Sequence, residues 1–132
     1  MDISFEWIKE KFVKEFTCCE AKFELFQFPF KTPGVNPNYH LPGVYIFLET
    51  DNKKPVKVGK HNVDSFWRAK QHIMDNTGNV MKELADQSKL ELILINLKKE
   101  NKNSGLHWIY AIEVYFELLL RQDGLLIKTG RI

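Results

Sequence analysis

Two cysteines are all the chain has, and they are neighbours, Cys18 and Cys19. Adjacent cysteines rarely bridge each other because the disulfide geometry is strained. A disulfide framework and a thiolate-rich zinc site are therefore excluded, and both residues read as ordinary thiols. No apolar run approaches the ~20 residues that span a bilayer. The opening residues, Met1-Asp2-Ile3-Ser4-Phe5-Glu6, lack the basic-then-apolar order of a secretory leader, so the expected address is the cytoplasm, with no membrane partner. Internal repeats, low-complexity tracts, zinc fingers and a clear helix-turn-helix are also missing. Excess charge is slight: 19 basic and 17 acidic residues leave +2, too little by itself to mark a nucleic-acid binder.

What is there is an ordinary globular balance, 44% hydrophobic and 27% charged over 132 residues, enough for one modest core. Residues 3 to 16 carry Ile8, Phe12 and Phe16 at four-residue intervals and read as an amphipathic helix, capped by Asp2 or Ser4. Lys22 to Phe28 is aromatic and extended, and Lys31 to His40 is a loop rich in Pro, Gly and Asn. Gly43 to Leu48 and Pro55 to Gly59 read as a hairpin joined by the polar run Glu49 to Lys54. A helix follows from about Asp64 to Asn76, started by Asp64 or Asn62 and ended before Gly78. A shorter helix covers Val80 to Gln87. Leu90 to Leu97, strongly apolar, is the natural third strand. After a charged turn, the longest helix runs from Leu106 to Gln122, with Ile109, Ile112, Phe116 and Leu119 or Leu120 as its buried stripe and Glu113 at that stripe's border. Gly124 ends it, and Leu125 to Ile127 is a candidate edge strand. The expected fold class is α/β: a small, mainly antiparallel three-stranded sheet flanked by helices, with residues 1–40 as a helix-plus-strand extension packed on a core of residues 41–132.

The chemistry gathers in one stretch. Gly43-Val44-Tyr45 is followed after eleven residues by Lys57-Val58-Gly59-Lys60, and then by Arg68 and His72, four apart on one predicted helix. Between Lys53 and His72 the chain carries Lys53, Lys54, Lys57, Lys60, Arg68 and Lys70 against a lone Asp64. A phenol, ammonium groups, a guanidinium and an imidazole on one patch are the parts expected where a phosphate is held and attacked.

This segment resembles the GIY-YIG nuclease superfamily, whose two tripeptide motifs precede an arginine-bearing helix. Gly43-Val44-Tyr45 matches the first motif, and Lys57-Val58-Gly59 the second, with lysine in place of its tyrosine. Arg68 stands at the place of the family's essential arginine, and Ile112-Glu113-Val114-Tyr115-Phe116 resembles the helix bearing its metal-binding glutamate. The resemblance covers residues 41 to 131. It implies a divalent-metal-dependent endonuclease acting on DNA, with RNA left open by the same residues. Tyr45 would activate water, Arg68 would bind the scissile phosphate, and Glu113 would hold Mg²⁺ or Mn²⁺, ions that keep much of their hydration shell. Glu117, one turn on, is the alternative register for that carboxylate. Lys57, Lys60 and His72 complete the expected catalytic set; Lys53, Lys54, His61 and Lys70 are the expected nucleic-acid contacts. The family's late asparagine has no clear counterpart, since Lys128 and Thr129 stand near its place. The alternative is a GIY-YIG-like module that holds nucleic acid or a protein without cutting, and the front forty residues are a candidate homodimer interface.

Overall fold

The computed structural model describes residues 3–28, 39–98 and 105–127. Most of the predicted loop from Lys31 to His40, the turn before the last helix and the pair Lys128 and Thr129 lie outside these residues. The elements run α1 (Phe5–Glu15), β1 (Ala21–Gln27), β2 (Gly43–Glu49), β3 (Pro55–His61), α2 (Ser65–Met74), a short 3-10 turn (Thr77–Asn79), α3 (Met81–Asp86), β4 (Leu90–Leu97) and α4 (Gly105–Arg121).

The four strands form one antiparallel sheet in the order β1-β4-β2-β3. This corrects the expected three strands. Ala21–Gln27 joins the sheet beside β4, Phe23 opposite Ile95 and Phe26 opposite Leu92. Phe23 turns to one core and Phe26 to the other, and only Phe26 of the strand is buried, which suits an edge strand; the choice of neighbour is a pairing across the length of the chain. The other expected edge strand does not form. Leu126 and Ile127 instead donate single backbone bonds to Pro55 and Val56 on β3, at 3.3 and 2.9 Å.

Helices cover both faces of the sheet. On one, Ile8, Phe12 and Phe16 from the first helix and its cap meet Ile109, Ile112, Phe116 and Leu120 of α4 over Val44, Ile46, Val58, Ile93 and Ile95. On the other, Phe66 and Ala69 of α2 with Met81 and Ala85 of α3 lie over Phe47, Leu90, Leu92 and Leu94. Covered twice, β2 and β4 read as continuous apolar runs rather than alternating ones. The described part of the first forty residues thus shares sheet and core with the rest. Among the described residues no helix is long and apolar enough to cross a membrane.

Local signals explain the helix bounds. Ser4 Oγ accepts from Trp7 N at 3.1 Å to start α1, and Asp64 Oδ1 accepts from Trp67 N at 2.9 Å to start α2. The chain leaves α2 through Asn76 at φ 51 and Gly78 at φ 70, and leaves α4 through Gly124 at φ 79.

Candidate functional site

Strand pairing sets the first part of the site. Tyr45 lies opposite Gly59, and Phe47 opposite Lys57, so the phenol and the lysine project from the same face, the one that α2 covers. A Cβ on Gly59 would run into the Tyr45 ring, so the second motif's glycine is the floor on which the phenol lies. A Cβ on Gly43 would meet Asn96 Oδ1 and the Ile95 carbonyl. Asn96, fully buried, in turn accepts from Ser65 Oγ and donates to the Tyr39 carbonyl. Through Ser65 it fixes the first turn of α2 against β4.

That docking brings His72 onto Tyr45. The phenol oxygen is 2.8 Å from His72 Nε2, and His72 Nδ1 is 2.8 Å from Thr77 Oγ1. Burial pushes the Tyr45 phenol up to about 12; the Arg68 guanidinium pulls the other way by charge and hydrogen bonding, and Glu113 adds to the rise. Burial also lowers His72 to about 4, with Arg68 and then Lys57 disfavouring its cation further. At neutral pH the pair is therefore a phenol and a neutral imidazole. Charges from three elements thus act on the pair: Arg68 of α2 and Glu113 of α4 on the phenol, and Arg68 with Lys57 of β3 on the imidazole.

Exposure divides them. Tyr45 is 2%, Glu113 5%, His72 6% and Lys57 9% exposed, whereas Arg68 is half-buried and donates to Gln71 Oε1 at 2.6 Å. Of the two candidate carboxylates, Glu117 is ion-paired with Arg121, and only Glu113 bears on the phenol.

The remaining predicted residues are placed elsewhere. Lys60 pairs with Val44, and the strand's alternation turns it to the opposite face from Tyr45. Lys53, at the hairpin tip, is bound at 2.7 Å to the buried carboxylate of Glu91, which also accepts from Gln27. Lys54 is exposed at the same tip. Lys70 Nζ lies 4.7 Å from the centre of the buried Phe66 ring. His61 Nδ1 accepts from the backbone N–H groups of Val63 and Asp64, so it shapes the turn into α2. Thr77, Gln71 and Asn96 were missed by sequence reasoning. Thr77 and Asn96 act on partners in other elements and stand in no motif; Gln71 lies three residues after Arg68 on the same helix, a spacing that is the one signal the sequence carried for it.

Comparison of the chain with protein-family models, with curated proteins and with solved structures finds no match. Among the described residues no group of three or more His, Cys, Asp or Glu side chains could hold a metal by protein ligands alone. The donor set near Tyr45 is a single carboxylate. One carboxylate fits a hydrated hard cation, which takes one or two carboxylates and fills its shell with water and phosphate oxygens.

Proposed function

We propose that this is a GIY-YIG-like site that cleaves DNA phosphodiester bonds with a divalent cation. The observation that carries the reading is the buried, hydrogen-bonded Tyr45–His72 pair, on which the charges of Arg68, Lys57 and Glu113 act. A cluster assembled only for packing has no need of five kinds of ionisable group.

Arg68, the half-exposed member, meets the scissile phosphate with its fork of donors. Tyr45 is a phenol at neutral pH, so it does not act as a resident phenolate. It orients water through its oxygen and passes its own proton to His72 Nε2 as it takes one from that water. His72 then carries the proton, with Nδ1–H held by Thr77. In the resting protein His72 is a weak base first because it is buried and then because Arg68 and Lys57 stand near it. A phosphate bound between those cations offsets their charge and raises the basicity of His72, so the relay is strengthened by substrate. Glu113 would hold Mg²⁺ or Mn²⁺, which when bound supplies charge neutralisation at the phosphate and lowers the pKa of water.

The test is nicking of supercoiled plasmid with Mg²⁺ or Mn²⁺, repeated with chelator. Metal-dependent nicking that Arg68→Ala and Glu113→Ala each abolish supports the reading; cutting that survives Glu113→Ala refutes the assigned metal residue. A second reading is favoured by the burial of Tyr45, His72, Lys57 and Glu113. On it, Arg68 binds phosphate at the surface and the buried groups are a structural network. Arg68-dependent DNA binding without cleavage under either metal would select it.

A further inference from the structure

Beside Arg68, on the outer side of α2, an apolar ridge faces solvent. Val63 is 68% exposed, Trp67 48% and Met74 80%, and Trp67 and Met74 share one stripe of the helix with Val63 just before it. The indole is nonetheless held in place. The His61 ring sits against it with centroids 5.6 Å apart and planes at 64°. His61 is itself fixed, since its Nδ1 accepts from Val63 N at 3.2 Å and Asp64 N at 2.9 Å. Asp64 completes the turn by accepting from Trp67 N. Gln71 stands one turn on from Trp67 and accepts from Arg68, so ridge and guanidinium border each other. The charged neighbours along the helix are Arg68 and Lys70 against Asp75 and Asp64, the last with its carboxylate taken by His40 at 2.7 Å and by the helix start.

We propose that Trp67, seated on His61 and flanked by Val63, is a stacking platform for an unpaired nucleobase of DNA whose neighbouring phosphate lies on Arg68. A pre-set aromatic ring beside cations is what single-stranded or unstacked nucleic acid recognises: every base has a flat face to stack, and the cations track the backbone. A fully paired duplex offers no free base face, so it gains the charge attraction alone. The proposal rests on the phosphate-binding reading of Arg68 and adds to it the preferred substrate, DNA with a base out of its stack.

The experiment uses two labelled DNA hairpins in chelator, each closed by a non-nucleotide ethylene-glycol linker in place of loop bases, one fully paired and one carrying a single unpaired 2-aminopurine in its stem. The expected result is about tenfold tighter binding of the second, within the range that stacking one base on an aromatic ring supplies, with quenching of the 2-aminopurine on binding. Trp67→Ala removes both the preference and the quench and leaves affinity for the paired hairpin unchanged; Trp67→Phe, which keeps a ring, retains most of each. Arg68→Ala weakens both hairpins alike. A preference and quench that persist in Trp67→Ala overturn the platform. So does equal, Arg68-dependent binding of both hairpins, and that outcome leaves the phosphate reading standing. Absence of any Arg68-dependent binding overturns both.

Discussion

The buried imidazole gives the sharpest quantitative test. His72 is 6% exposed and displaced from an ordinary value of 6.5 to about 4. Each unit is worth about 1.4 kcal/mol, so the displacement amounts to roughly 3 kcal/mol. The sign follows from proton counting. Between pH 6.5 and 4 the unfolded chain binds a proton at His72 that the folded chain refuses. Stability is therefore intact above pH 6.5 and is lost as pH falls toward 4. Carboxylates titrate in part of that window, so the measurement is a difference: urea unfolding of the natural chain and of His72→Gln at steps from pH 7.5 to 4.5. The variant keeps a polar amide beside Tyr45 but cannot titrate. The natural chain should lose stability relative to it with a slope approaching about 1.4 kcal/mol per pH unit below 6. Nuclear magnetic resonance of the His72 ring should show a neutral imidazole at pH 5.5. Arg68→Met should raise its pKa more than Lys57→Met, following the order in which the two cations act. A flat difference curve, or a ring that titrates near 6.5, would refute the burial and charge argument together.

Two further substitutions probe the scaffold. Gly59→Ala places a methyl against the Tyr45 ring; it should cost about 1–3 kcal/mol and, by displacing the phenol from His72, raise the ring's pKa in the same resonance experiment. Asp64→Ala removes the cap of α2 and should cost about 1 kcal/mol in thermal or urea unfolding, while Asp64→Asn, which can still accept from Trp67 N, should cost a few tenths at most; equal losses would show that the contact with His40, not the cap, is what matters.

Much of the fold was legible because its signals are local. The four-residue recurrence of Ile8, Phe12 and Phe16, the caps at Ser4 and Asp64, the apolar run of β4 and the breaks at Gly78 and Gly124 each act over one or two turns of chain. The motif residues were legible by type and spacing, and alternation along the hairpin put Tyr45 and Lys57 on one face. Other features were not. Glu113 and Glu117 are one turn apart and equivalent in pattern; the rotation of α4 and the reach of Arg121 separate them. Lys53 looked like part of a basic patch, yet it neutralises Glu91, a partner supplied by another strand.

The sequence by itself determined roughly where the helices and the central strands lie, and which side chains could do chemistry, because both depend on neighbours within a few residues. Tertiary structure alone decided that Ala21–Gln27 is a fourth strand beside β4, that Asn96 and Ser65 lock α2 onto the sheet, and that His72 meets Tyr45 on one side and Thr77 on the other. These contacts join segments whose encounter no local preference encodes. The core fixes them by burying both faces of the sheet at once, and that same burial makes the Tyr45–His72 pair neutral.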